Sequence, residues 1–289
     1  MHSYRFKQDR QTIHCETNGD IGRANNIIFL HGLASNASRW RELMNTTSLN
    51  KDTDLLAMDL RGHGYSSSFK PFSRQHWCDD VYALRTQLKG ATILAGHSMG
   101  AQVALDYAYQ HPRDLSGMVL IDPIFPQALS GLLAKVARYR WFVHLAAKTI
   151  RIFYRFGLHK RNYPYRDLQK LDQDSRAFLS AHPDKNIADL YMDPFSDLKF
   201  IPLANFLQDL YEVTRKLPDL NSIKTPTLVL LSSGASTSHV ETNKQILNQL
   251  PNLEIETIQA DHWLLTEKPD DARIVIENWC QKMFSADWH

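Results

Sequence analysis

Gly96-His97-Ser98-Met99-Gly100 holds a hydroxyl between two glycines, in a setting where it could act as a nucleophile. Ala91–Ala95 before it is an apolar run of strand length. After it, Gly100, Val103, Ala104, Tyr107 and Ala108 recur at the i, i+3, i+4, i+7, i+8 spacing of one buried helix face. A serine on such a strand-to-helix turn has a strained backbone and needs small neighbours. The N–H groups that open the helix lack intrahelical partners and can stabilise developing negative charge. By itself G-x-S-x-G is modest evidence, since chance supplies it in roughly one chain in ten of this length at average glycine usage. A serine capping a helix after a glycine turn gives the same letters. The flanking strand and helix favour a nucleophile elbow and a serine hydrolase.

The elements that must position Ser98 are legible on both sides of it. Tyr4–Lys7 and Gln11–Glu16 alternate as a hairpin at a sheet edge. Asn26–Leu30, Asp54–Met58, Met118–Ile121, Thr227–Leu231 and Leu253–Ile258 read as strands. Helices are expected over Asn36–Asn45, Ser73–Leu88, Val240–Leu250 and Pro269–Phe284. Continuous apolar strands alternating with helices predict an α/β fold, a doubly wound, mostly parallel sheet covered on both faces. In such sheets the ligand site lies at the carboxyl ends of the strands. His31, Asp59, Ser98, Asp122 and His262 each directly follow a predicted strand, which points to a shared site. The alternation stops after Ile121 for about a hundred residues that read as helical, so the expected organisation is a core of residues 1–122 and 223–289 with a helical cap inserted at 123–222.

Composition narrows the function classes. The 289 residues are 43% hydrophobic and 22% charged with a formal net charge of +2, which suits a globular core and gives no overall argument for nucleic acid. Cys15, Cys78 and Cys280 are few, odd in number and far apart, against a disulfide framework or a CxxC metal site. No cofactor or metal is expected. The first residues contain no apolar signal-like run and no stretch of 18 apolar residues occurs, so the expected location is cytoplasmic.

His31-Gly32-Leu33-Ala34-Ser35, DLRGHGYS at 59–66, GHSMG at 96–100 and DHW at 261–263 together resemble the α/β-hydrolase superfamily, in its serine esterase and lipase-like branch with a helical cap. The resemblance covers about residues 1–122 and 223–289. It implies Ser98 as nucleophile, His262 as general base and later general acid, and the backbone N–H groups of Leu33 and Met99 as an oxyanion hole. It implies only a structural role for Asp59 and Arg61. The acid is where the chain departs from the family pattern. In most relatives it follows the strand corresponding to 225–231, but here Ser232–Ser238 holds no carboxylate and Ala235 falls near the usual place. A minority of the superfamily places the acid after the preceding core strand, where Asp122 stands in LIDPIF, preserving the order Ser98, Asp122, His262. An aspartate before proline is also a common turn residue. Glu241, Asp261 and the absence of any acid are the alternatives.

The inserted segment opens with a charge bias. Pro123–Arg166 carries nine Lys or Arg and no Asp or Glu. On a helix, Lys148, Arg151 and Arg155 share one face, with Ala146, Ile150 and Phe153 on the other and Phe142 and Val143 a turn earlier. The plainer expectation is a cap helix with its apolar face on an acyl pocket and its basic face in solvent. The alternative is weak contact with an anionic membrane surface. Ser98 in place of an aspartate argues against dehalogenases and epoxide hydrolases of this fold. The sequence therefore points to hydrolysis of a carboxylic ester, lipid-like on the second reading of the helix, through an acyl-enzyme. Thioester hydrolysis, C–C bond hydrolysis and acyl transfer share the machinery, and a non-catalytic ligand-binding protein is the reading of a different class.

Overall fold

The structure, a computed structural model, describes every residue except Arg161, Pro183, Asn186, Met192, Asp193, 235–238 and 286–289. Eight strands form one sheet in the order β1-β2-β4-β3-β5-β6-β7-β8. They are β1 (His2–Gln8), β2 (Gln11–Thr17), β3 (Asn25–Leu30), β4 (Thr53–Met58), β5 (Ala91–His97), β6 (Gly117–Ile121), β7 (Thr227–Ser232) and β8 (Leu253–Ile258). The β1–β2 hairpin turns at Asp9-Arg10, both at positive φ; it and the β2–β4 pair are antiparallel, and the remaining pairings are parallel. The expected doubly wound α/β sheet is therefore present, with its antiparallel edge.

The period-2 alternation of the strands builds two cores. Ile28, Leu30, Leu56 and Leu94 face α2 (Arg74–Arg85) and α3 (Met99–Gln110), where Trp77, Val81 and Val103 are buried. Ile27, Phe29, Leu55 and Ile93 face Trp40, Met44 of α1 (Arg41–Thr46), and Ile276 and Trp279 of the last helix. Strand order reverses between β3 and β5, so the loops leaving these two strands part to opposite sides of a crevice at their carboxyl ends. Register pairs Leu30 with Gly96 and His97 with Ile121, which brings the segments after β3, β5 and β6 side by side.

Between β6 and β7 the chain leaves the sheet, and the described residues there form six α-helices: α4 (Gly131–Arg138), α5 (Arg140–Arg155), α6 (Leu168–Ala181), α7 (Ile187–Tyr191), α8 (Pro194–Asp197) and α9 (Leu203–Val213). After β7 come α10 (Val240–Leu247), α11 (Leu264–Glu267) and α12 (Pro269–Ser285). Buried polar contacts fasten the insertion to the sheet. Asp209 of α9 meets His63 Nε2 at 2.9 Å, Arg39 pairs with Asp172 of α6, and Arg74 donates to the Glu212 and Lys216 carbonyls at 3.2 and 2.7 Å. Such pairs add little net stability over apolar packing, but one partner left alone is costly, so they define where the insertion seats.

One expectation about the insertion is overturned. The plain reading of α5 put its cations in solvent and its apolar face inward. Lys148 and Arg155 are exposed as expected, but Arg151 is buried beside Ala147, and Trp141, Phe142, Leu145 and Phe153 are exposed. The reason is the partner: α5 packs along α9, with Val143 against the cluster of Ile201, Phe206 and Leu210, and the aromatic arc faces away from that contact. Arg161 of the same basic stretch lies outside the described residues.

Candidate active site

Ser98 caps the N-terminus of α3 at φ 54°, ψ −111°, a conformation that side chains other than glycine rarely adopt and that costs on the order of 1–3 kcal/mol. The surroundings impose it. The Ser98 N–H donates to the Ile121 carbonyl at 2.9 Å and its own carbonyl accepts from the Ala101 N–H at 3.1 Å. Both flanking glycines are sterically required: a Cβ on Gly96 would overlap the Gly100 carbonyl, and one on Gly100 would run into the Leu30 carbonyl at the end of β3. The turn therefore drives Oγ away from the sheet into the crevice, where the side chain lies 3% exposed.

The loop between β8 and α11 brings His262 to this hydroxyl, with Nε2 3.1 Å from Ser98 Oγ. The other ring nitrogen, Nδ1, lies 3.3 Å from Asp122 Oδ2. A proton on Nδ1 facing the carboxylate leaves Nε2 as the acceptor for the serine O–H. Asp122 directly follows β6 at φ 41°, a left-handed turn that aspartate tolerates better than most residues. Its backbone N–H donates to the Leu230 carbonyl at 2.9 Å. Its carboxylate accepts from the Ser232 N–H at 2.8 Å (Oδ1) and from the Ser232 hydroxyl at 2.6 Å (Oδ2). Of the alternative acids, Glu241 is turned outward, its side chain 82% exposed and paired with Lys244 at 3.5 Å. Asp261 keeps its backbone N–H on the Glu267 carboxylate at 3.1 Å, and it is Asp122, two strands away, that meets the His262 ring. Ala235 lies outside the described residues.

Leu33 and Met99, expected from the sequence as a pair of N–H donors, lie on the two segments that flank Ser98, the turn after Gly32 and the first turn of α3. Met99 opens α3, so its N–H is among those without an intrahelical carbonyl. The Gly32 turn is pressed against the elbow: a Cβ on Gly32 would sit 3.3 Å from Ser98 Cβ and from His97 Nδ1. Among the described residues the Leu33 N–H has no acceptor, and Ala34 after it turns at φ 49°. His31 anchors this loop from behind. Its Nε2 accepts the Leu60 N–H at 3.0 Å and its Nδ1–H donates to the Gly32 carbonyl at 2.8 Å. Burial, reinforced by the charge of His63, holds its pKa well below the usual histidine value, so it stays neutral.

Of the five residues that follow predicted strands, three meet: Ser98, Asp122 and His262. His31 and Asp59 serve the scaffold instead. Asp59 accepts the Ala37 and Tyr65 N–H groups at 2.7 and 2.9 Å and contacts His14 Nδ1 at 2.9 Å. Arg61 pairs with Asp80, Nε to Oδ2 at 3.0 Å. Two participants carry no sequence signal strong enough to single them out. Ser232 was visible only as the first residue of a loop without a carboxylate; it is the residue that grips Asp122. His97, beside Ser98, donates Nε2–H to the His262 carbonyl at 3.2 Å and so tethers the histidine loop. Burial, with the neighbouring His262 and Arg39, pushes the His97 pKa down to about 3.

An apolar cluster reaches the Leu33–Ala34 side of the site. Ile201, Phe206 and Leu210 pack with Leu33, Ala34, Leu133 and Val136. The insertion therefore presents hydrocarbon next to the Leu33 N–H. Among the described residues no group of side chains has the composition and closeness of a metal site, and no helix is long and apolar enough to cross a membrane.

A family model described as "Alpha/beta hydrolase family" matches residues 27–273, from β3 to α12. The chain belongs to that family. Among curated relatives, a Haemophilus influenzae protein named "Putative esterase/lipase" is 27% identical over 97% of this chain and 88% of its own length. The sn-1-specific diacylglycerol lipase ABHD11 of Mus musculus is 24% identical over 85% of this chain and 77% of its own. Among solved structures, a thermophilic esterase from Thermogutta terrifontis superposes with a TM-score of 0.70 at 18% identity, covering 98% of this chain and 99% of its own. An enol-lactonase from Burkholderia xenovorans LB400 gives 0.70 at 16%, over 96% and 100%. These structural likenesses bear on the fold.

Proposed function

We propose that this member of the alpha/beta hydrolase family is a serine hydrolase of carboxylic esters with apolar acyl groups, working through an acyl-enzyme on Ser98. The observation that carries the reading is the Asp122–His262–Ser98 relay, with its strained serine at the mouth of the crevice. His262 Nε2 takes the Oγ proton as Ser98 attacks the ester carbonyl. The oxyanion that forms is held by the Leu33 and Met99 N–H groups. Asp122 keeps the Nδ1 proton in place and stabilises the imidazolium. The protonated His262 then gives its proton to the departing alkoxide, leaving acyl-Ser98. Water, deprotonated by the same Nε2, attacks the acyl carbonyl and regenerates the serine. Tethering through His97 and the Ser232 grip on Asp122 hold the relay without help from substrate.

The acyl preference rests on Leu33, Ile201, Phe206 and Leu210, hydrocarbon that burial of an alkyl chain would extend at ~25 cal/mol per Å². In this reading the helices between β6 and β7 are a cap over the crevice. The names of relatives, an esterase/lipase and a diacylglycerol lipase, support the same substrate class.

Reaction with a fluorophosphonate probe tests the reading. Mass analysis is expected to find the label on Ser98, with no label in Ser98→Ala and strongly slowed labelling in His262→Ala. A folded wild-type protein that takes no label would overturn the enzyme reading and leave ligand binding on this fold.

A further inference from the structure

α5 is an amphipathic helix turned inside out. At ~100° per residue, Trp141, Phe142, Leu145, Ile152 and Phe153 fall on one arc, and all five are exposed, Phe142 71% so. Lys148 and Arg155 flank one border of that arc. Beyond them Arg151 dips under the helix. It is 6% exposed, its guanidinium lies over the Phe72 ring at 5.4 Å, and none of its three nitrogens has a hydrogen-bond partner among the described residues. Burial pushes its pKa below the usual arginine value, only partly opposed by Asp209, yet an arginine remains charged. A buried cation with five idle donors is an expensive feature unless something anionic reaches it.

The space beside it has the matching shape. A cavity of about 680 Å³ opens between α5 and the 68–71 loop, lined by Lys70, Lys148, Arg151 and Arg155 together with Phe69 and Ile152. No carboxylate lines it. Lys70, Lys148 and Arg155 form no ion pair among the described residues.

We propose that this cavity takes the phosphate of an anionic phospholipid while the exposed arc of α5 lies in the surface of the membrane that holds it. Lys70, Lys148 and Arg155 offer donors to phosphate oxygens from the cavity wall, and the buried Arg151 guanidinium beneath them adds charge complementarity. A soluble anion would use the cations but leave the adjoining apolar arc in water. A phospholipid presents both chemistries at the separation this helix offers, with Ile152 common to arc and cavity. Aromatic side chains beside Lys and Arg are the composition of helices that lie in the headgroup region. A second copy of the chain fits poorly, because Pro123–Arg166 has nine cations and no acid, so a symmetric contact would face like charge with like. The inference concerns binding and stands whether or not Ser98 reacts.

The full-length protein is sedimented with phosphatidylcholine vesicles, with and without phosphatidylglycerol, at low and high salt. Binding is expected to favour the anionic vesicles by about tenfold or more and to weaken with salt. The surface pair K148E/R155E should lose that preference without disturbing the core. The pair F142S/F153S should weaken binding by about tenfold or more at unchanged charge. In Arg151→Met, the preference for phosphatidylglycerol should fall while residual binding to phosphatidylcholine persists. Equal binding to both vesicles, no binding, or indifference to either surface pair overturns the proposal. So does saturable binding of inorganic phosphate in a protein that ignores vesicles, which would make the cavity a site for a soluble anion. A concentration-dependent dimer abolished by F142S/F153S would give the arc to a second copy and overturn it likewise.

Discussion

Asp122→Asn is a substitution whose outcome follows from the direction of individual hydrogen bonds. The backbone tolerates it, since asparagine accepts the left-handed turn that residue 122 adopts at φ 41°. One carboxylate oxygen accepts the Ser232 N–H at 2.8 Å, a donor that only an oxygen can satisfy, so the amide oxygen must take that place. The amide NH₂ then occupies the other position and points at Ser232 Oγ and His262 Nδ1. Ser232 Oγ can reverse its role and accept, so the fold keeps its contacts. His262 must likewise accept at Nδ1, which moves its proton to Nε2, the nitrogen that faces Ser98 Oγ at 3.1 Å. The base is then in the wrong tautomer. A loss of about ten-thousand-fold in kcat is expected, equivalent to ~5.5 kcal/mol of transition-state stabilisation. The assay is kcat and KM on a p-nitrophenyl ester, beside a urea melt to show that the variant is folded. A folded Asp122→Asn within about tenfold of wild type, with Ser98→Ala inactive, would refute the tautomer argument and move the acid elsewhere.

Gly100→Ala tests the elbow as a packing device: its Cβ would overlap the Leu30 and His31 carbonyls, and a loss of ~3 kcal/mol or more is expected in urea unfolding. His97 predicts a pH dependence. Its folded pKa of about 3 lies below the ordinary 6.5, so the unfolded chain gains the proton first and the stability His97 confers is complete above pH 6.5 and drains away as pH falls toward 3. At pH 4.5 the loss is on the order of 3 kcal/mol, and His97→Asn should flatten that part of the urea-midpoint profile relative to wild type; an unchanged slope would contradict a buried neutral imidazole.

The scaffold of the site is local information. Strand-length apolar runs, the glycines at 96 and 100 and the helix face through Val103 and Tyr107 state in sequence what β5, the elbow and α3 become, because a backbone that tight admits no other residues. His262 was legible for the same reason, standing directly after a strand in a recognisable motif. The expected acid was legible only in part: chain order favours Asp122, but Glu241 and Asp261 differ from it only in where the chain carries them. The β6–β7 pairing and the grip of Ser232 bring Asp122 to the histidine while Glu241 points to solvent. His97 looked like filler in a motif until its ring met a carbonyl 165 residues away.

Helix α5 shows the same division from the other side. Its periodicity establishes an amphipathic helix with cations along one border, and periodicity is a property of the helix alone. Which arc is buried depends on the neighbour that covers it: α9 packs on the side of Val143, Arg151 turns under against Phe72, and the aromatic residues stay outside. Spacing along a chain decides what a segment can be. Burial, partner and the direction of a hydrogen bond arise between segments distant in sequence, and only their packing decides them.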